Sequence, residues 1–458
     1  MLFTSSGKPA PRAPIQGRRE ARRAAVSQTQ GRRCAVDEDF DWFAGVDWGN
    51  TFHQLCVLDR AGRIVHEASV PHSGEGLAQL VKHLLDHSGG RADRVAVGIE
   101  TPRGAIVDTL LAQGFGVFAI NPKQVDRFRD RLSVGGAKDD RRDGYVIGDA
   151  LRTDRRRFRQ LVAEDPLVTE LREASRLHDE LTEQLVRMSN QLRDELNGYY
   201  PQALVHCPAA NEPWLWALLE RVPTPQAGRR FALARLEGVL KDHRIRRVTC
   251  EELAVALRAP GLGVSAGTVR AGELHVRVLV AQLKMAHRLR REVDERVTAI
   301  LEEMTEDDST EPPDGSAPGS PRRPSDLAVI RSLPGAGDKV VSCVVGEAYE
   351  LLRRRDEEQL RLLSGAAPVT RQSGKRRIVV MRRACSERLR TAMHYWAGVY
   401  AQHDPKGQAL YRAVKARGKT HGHACRIVAD RLFTVLFAML RTGTLYDPTR
   451  REAVIALT

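Results

Sequence analysis

The stretch FAGVDWGNTFHQLCVLD, residues 43–59, decides the fold. Its first apolar run stops at Asp47, and Gly49, Asn50 and Thr51 follow before a second run, QLCVLD. Apolar runs of this length bounded by Gly and Asn read as two strands joined by a turn. A carboxylate at the end of a buried strand is costly unless it is paired or holds a metal, so Asp47 is the residue to explain.

Working outward, RIVHEASV reads as a third strand, antiparallel to the second across the turn DRAGR. GEGLAQLVKHLLDHSG then sets Leu77, Leu80, Val81, Leu84 and Leu85 on one helical face. RVAVGIETP is a fourth, fully apolar strand, GAIVDTLLAQG a second helix and FGVFAINP a fifth strand. Three strands, helix, strand, helix, strand is the order of the α/β ribonuclease-H-like (RuvC-like) fold. That fold makes the first and fourth strands neighbours, which brings Glu100, at the end of the fourth, beside Asp47.

GGAKDDRRDGYVIGDAL reads as a further helix carrying Asp140 and Asp143, and residues three apart share a helical face. Four carboxylates at one point repel unless cations sit between them. Mg²⁺ takes oxygen ligands, and a pair of such ions activates the attacking oxygen and stabilises the leaving one in phosphoryl transfer. The blander readings are a turn residue for Asp47 and a solvated helix face for KDDRRD. GVDWGNT also resembles the first phosphate loop of actin-like sugar kinases, but no second phosphate loop or Gly-rich adenosine motif follows it.

The 458 residues, 42% apolar and 28% charged, suffice for two or three domains. The absence of a long apolar run or an apolar secretory segment predicts a cytoplasmic protein with no membrane span. Seven cysteines without a C-x-x-C pair read as reduced thiols. A net charge of +14 is the footprint of a nucleic-acid binder. Part of it sits in residues 1–40, a basic tail with little to bury. The α/β domain is expected over 41–160.

In the segment 161–304, Leu167, Leu171, Ala174, Leu181, Leu185, Met188 and Leu192 alternate spacings of four and three, apart from His178 at one core position. This predicts a coiled-coil helix of roughly four heptads. A second such helix carries Leu279, Leu283, Ala286, Val293, Val297 and Ile300, with short basic helices between the two. The pair fits either an antiparallel hairpin within one chain or a dimer interface. Residues 305–326, rich in Pro, Ser and Gly, read as a linker before a mostly helical C-terminal domain, 327–446, and a tail, 447–458.

In the C-terminal domain, IRSLPGAGDKVVSCVVGEA resembles a helix-hairpin-helix, whose exposed N–H groups hold a DNA phosphate without reading sequence. QSGKRR surrounds Ser373 with Arg371, Lys375, Arg376 and Arg377, groups suited to scissile phosphates, whereas Ser364 in LSG lacks them. His421, His423 and Cys425 in THGHAC do not make a zinc site by sequence, because a structural site needs four ligands and no partner pair is evident.

The KDDRRD segment with Asp47 and Glu100 upstream, and the stretch LLSGAAPVTRQSG leading into Ser373, resemble the two signatures of insertion-sequence transposases of the IS110 family. Asp139 stands where the family usually has Ser or Thr, and Asp140 keeps the three-residue spacing to Asp143. The resemblance spans about residues 44–446. It implies a DEDD tetrad of Asp47, Glu100, Asp140 and Asp143 holding Mg²⁺. It also implies Ser373 as a nucleophile that joins covalently to DNA with help from the tetrad and its ions. A bridge RNA pairing with donor and target DNA, and a homo-oligomer (dimer or tetramer) joined through the coiled coil, complete the expectation. Lys138, Arg141, Arg142, Lys339, Arg371, Lys375, Arg376 and Arg377 are the expected nucleic-acid contacts. A RuvC-like metal-dependent junction nuclease would leave Ser373 idle, and a bare binding module would need no Mg²⁺ but bind with steep salt dependence.

Overall fold

The computed structural model describes residues 40–132, 140–308, 324–374 and 376–448. Lys138, Asp139 and Lys375, the side chain of Asp140, nearly all of the basic tail and most of the linker therefore lie outside the described residues. The chain divides into two compact units, Met1–Pro166 and Leu167–Thr458.

In the first unit β1 (Trp42–Asp47), β2 (Phe52–Leu58), β3 (Ile64–Pro71), β4 (Val95–Ile99), β5 (Gly116–Ala119) and β6 (Arg159–Gln160) form one sheet in the order β3-β2-β1-β4-β5-β6. The first three strands are antiparallel, β4 lies parallel to both β1 and β5, and β6 closes the edge antiparallel to β5. Helices α1 (Gly74–Ser88), α2 (Ala105–Ala112), α3 (Pro122–Leu132) and α4 (Asp140–Asp154) complete the unit. This mixed sheet with its helices is compatible with a ribonuclease-H-like domain. The strand β6 escapes a sequence reading because its two residues sit in an arginine-rich run with no apolar period.

Alternation along β1 explains why its sequence is apolar throughout. Ala44 and Val46 pack on one face with Leu80 and Leu84 of α1 and Ile106 and Leu110 of α2. Phe43 packs on the other with Val146, Ile147 and Leu151 of α4. Both faces are covered, so no position is left for a polar residue. Helix α1 starts at Ser73, whose hydroxyl accepts from the Gly76 N–H, and stops at Gly89 in the left-handed region at φ 60°.

One close approach sets the position of α4. A Cβ on Gly45 of β1 would lie 1.9 Å from the Gly144 carbonyl oxygen and 2.5 Å from the Gly148 nitrogen of α4. Only glycine at 45 lets helix backbone meet strand backbone at this distance.

The second unit is built on two long helices, α5 (Pro166–Tyr199) and α10 (Ala266–Asp308), with α6 (Pro213–Arg221), α7 (Pro225–Arg230), α8 (Leu233–Asp242) and α9 (Cys250–Arg258) between them. They run antiparallel within one chain. Arg296 donates to Glu170 at 2.7 Å, His178 Nε2 lies 3.0 Å from Asp294, and His275 Nδ1 lies 3.2 Å from Glu195. One end of the pair, with Leu192, Leu196, Val276 and Val280, packs against Trp214, Trp216, Leu236 and Leu253 of the short helices. The other end, with Val168, Leu171, Ile300 and Leu301, joins the core of the C-terminal helices.

Those helices are α11 (Asp326–Ser332), α12 (Asp338–Arg353), α13 (Glu357–Leu363), α14 (Glu387–His403), α15 (Pro405–Ala416) and α16 (His421–Thr442), with a hairpin of β7 (Val369–Ser373) and β8 (Arg376–Val380). Two bounds differ from the sequence reading. Helix α10 continues through 305–308, where a polar composition reads as linker, because Met304 is buried and the Thr305 hydroxyl donates to the Leu301 carbonyl. Leu161 belongs to the sheet, its N–H donating to the Val117 carbonyl at 2.8 Å. Cysteines among the described residues are free thiols. No helix among the described residues is long and apolar enough to cross a membrane.

Candidate active site

Strands β1 and β4 are parallel neighbours whose last register pair is Val46 with Ile99, so Asp47 and Glu100 leave the same sheet edge side by side. Asp143, in the first turn of α4, is carried to that edge by the glycine contact with β1. The three carboxylates line one cleft of about 450 Å³. Asp140 begins the same helix, three residues before Asp143. Asp143 itself is only 4% exposed.

Two cleft residues were not read from the sequence. Arg129 of α3 donates Nε and a terminal N–H to Asp143 Oδ1 at 2.8 and 2.7 Å, and its other terminal N–H to Asp126 at 2.9 Å. Burial works against the guanidinium charge, but the bond to Asp143 and the charges of Asp143 and Asp126 raise its pKa above the ordinary value. Arg129 thus holds a positive charge directly against one proposed metal ligand. In the sequence, Asp126 and Arg129 look like an outward i,i+3 pair on a charged helix; only the packing of α3 on α4 turns Arg129 inward.

Among the described residues lining the cleft, the acidic donors are carboxylate oxygens with no thiol or imidazole beside them. That set suits a hard divalent cation, which takes oxygen ligands. Of the basic residues expected at nucleic acid in this unit, Arg141 forms an ion pair with Glu67 of β3 and Arg142 is half-buried.

In the second unit, Ser373 ends β7 and is exposed. The register pairs Ser373 with Arg376, Gln372 with Arg377 and Arg371 with Ile378. Alternation therefore puts Arg371 and Arg376 on the face of Ser373 and Arg377 on the opposite face, a division that sequence adjacency hides. Gly374 turns the hairpin at φ +54°. The alternative serine, Ser364, is 2% exposed at the end of α13 and donates to the Arg361 carbonyl. Lys339 sits at the start of α12, its Nζ 3.8 Å from Asp179, just after the turn at Gly335 that separates α11 from α12.

Residues 44–201, which include all four acids, match the DEDD transposase family model of the IS110 type. Residues 327–412, which include the Ser373 hairpin, match the family described as Transposase IS116/IS110/IS902. The chain belongs to the IS110 family of transposases. The transposase-type protein y4uE of Sinorhizobium fredii is 43% identical over 237 residues, 52% of this chain and 65% of that protein. The 43.6 kDa protein of insertion element IS110 from Streptomyces coelicolor is 28% identical over 417 residues, 90% of this chain and 96% of its own. The 42 kDa protein of insertion element IS900 from Mycobacterium paratuberculosis is 25% identical over 430 residues, 90% of this chain and 98% of its own. An IS110-family transposase cuts and rejoins DNA, and its DEDD domain is of a type that works with divalent metal.

Proposed function

We propose that this transposase excises and integrates its insertion element through a serine–DNA intermediate, with Asp47, Glu100, Asp140 and Asp143 holding Mg²⁺. The observation that carries the reading is the convergence of Asp47, Glu100 and Asp143, from β1, β4 and α4, on one cleft. Bound there, Mg²⁺ supplies Lewis-acid activation for phosphoryl transfer. Ser373 Oγ attacks the phosphorus and loses its proton, the sugar oxygen of the cut strand leaves and takes up a proton to become a hydroxyl, and a strand hydroxyl later reverses the step, so one phosphodiester replaces another throughout. Arg371 and Arg376, on the face of Ser373, grip the phosphate oxygens. Arg129 holds Asp143 in place at the cleft through its ion pair.

The remaining cations, Lys138, Arg141, Arg142, Lys339, Lys375 and Arg377, hold DNA and a guiding bridge RNA. The turn between α11 and α12 serves as a helix-hairpin-helix phosphate contact. The heptad faces of α5 and α10 are used within one chain, so two or four chains assemble through the outer side of this coiled-coil pair, where Leu177, Val186, Leu274 and Val278 are exposed. The second reading, a RuvC-like nuclease, is favoured by the acidic cleft itself, whose residues match that chemistry without a serine.

The test incubates purified protein with Mg²⁺, co-purifying RNA and DNA spanning the element junction, and resolves adducts on a denaturing gel. The expected result is a protein–DNA adduct in the wild type that is lost in Ser373→Ala and in Asp140→Ala. Free nicks in both the wild type and Ser373→Ala, with no adduct, would establish the nuclease instead.

A further inference from the structure

The C-terminal helices hold a donor cluster of different chemistry. His421 and Cys425 lie four residues apart on the first turns of α16 and so share a face. Helix α14 brings His394 against them. One ligand-capable atom from each of the three lies within 4.8 Å of the other two. The His394 and His421 rings are centred 5.3 Å apart, and His421 Nε2 is 3.6 Å from Cys425 Sγ. A tetrahedral zinc, with bonds of about 2.1 Å to nitrogen and about 2.3 Å to sulfur, sets its ligand atoms about 3.6 Å apart.

A fourth residue orients the set. Tyr411 of α15 has its hydroxyl 2.8 Å from His421 Nδ1; Cys425 Sγ lies 3.7 Å from that nitrogen and 3.6 Å from Nε2, the one Tyr411 does not engage. A metal-bound histidine is held in the same way by a partner on its other nitrogen. Cys425 is fully buried and His421 is exposed, so the cluster is closed at the thiol and reachable at the imidazole. Nitrogen and sulfur donors select zinc-class ions, whereas the oxygen donors of the acidic cleft select magnesium-class ones.

We propose that His394, His421 and Cys425 bind one zinc-class transition-metal ion, with water in the fourth position, tying α14 to the start of α16. Cys425 binds as a thiolate, so loading the site releases its proton. The ion closes a contact between two helices of one core, and its role is to hold the C-terminal domain rather than to cut DNA.

The test strips the full-length protein with a chelator and titrates it with Co²⁺ as a spectroscopic stand-in for zinc. The expected result is one equivalent of tetrahedral Co²⁺ with a thiolate charge-transfer band, displaced by one equivalent of Zn²⁺. The band separates this site from any Co²⁺ taken by carboxylates. It should vanish in Cys425→Ser, and affinity should fall at least about 10-fold in His421→Ala, an exposed position whose fold is checked by circular dichroism. No charge-transfer band in the wild type, or an unchanged band and affinity in both His421→Ala and His394→Ala, would overturn the proposal.

Discussion

The acidic cleft of the first unit and the Arg388 cluster of the second use the same residue types to opposite ends. In the cleft, Asp47, Glu100 and Asp143 face about 450 Å³ of open space. In the cluster, Arg388 of α14 donates to Asp179 at 3.0 and 2.8 Å, to Glu347 at 2.6 Å and to Ser175 at 2.8 Å. Arg176 takes both oxygens of Glu347, at 2.8 and 3.1 Å. The Glu347 side chain is 9% exposed. Burial raises the Asp179 and Glu347 carboxyls, yet their bonds to His178, Arg388 and Arg176 outweigh it and hold both below the ordinary carboxylate range. Carboxylates that converge are therefore not by themselves a metal signature. What distinguishes the two is the space beside the oxygens: the cleft acids line a cavity even though Arg129 already holds Asp143, whereas the cluster packs its guanidinium groups directly onto Glu347 and Asp179.

That difference is open to test, first where the effect is largest. Asp47→Asn should lower DNA cleavage on the order of 10³-fold, the loss of several kcal/mol of metal-borne stabilisation, with little change in melting temperature. A stable variant with full cleavage would make the cleft as structural as the Arg388 cluster. Arg388→Met should do the reverse, lowering the unfolding free energy in urea by about 2 kcal/mol because it leaves the buried Glu347 to Arg176 alone and takes the guanidinium from the partly exposed Asp179. A loss below about 1 kcal/mol would place it with ordinary surface ion pairs.

The smallest effect is in pH. Asp179 and Glu347 have folded pKa values below their unfolded ones, so their contribution is complete above the unfolded values, near pH 4, and is lost as pH falls through the folded ones. Urea titrations at stepped pH should show wild-type stability declining below about pH 4 more steeply than that of Arg388→Met, and parallel curves would remove the cluster from the account.

Much of this architecture is legible along the chain. Apolar runs specify β1, β4 and β5, because a strand covered on both faces has no polar position to blur the pattern, whereas the largely uncovered β3 is marked by the turn before it. The neighbourhood of Asp47 and Glu100 follows from strand order. The heptad positions Leu171, Leu181, Leu185 and Leu192 are buried as their spacing requires, but spacing is silent on whether the partner helix belongs to the same chain. The choice of Ser373 over Ser364 rests on the charge around it in the sequence; the structure adds that Ser373 is exposed and Ser364 only 2% exposed.

The sequence by itself determined the local periods, the acids at the strand ends, the arginine-rich loop around Ser373 and the membership of a transposase family. Each of these is a property of neighbours within a few residues, which backbone geometry converts directly into a face or an edge. Tertiary structure alone decided the rest: Arg129 against Asp143, the glycine contact that seats α4 on β1, and His394 beside a His-Cys pair that looked incomplete. These depend on which helix packs on which element, and no spacing along the chain records that choice, because the packing energy is shared by whole core faces rather than carried by the residues that end up in the site.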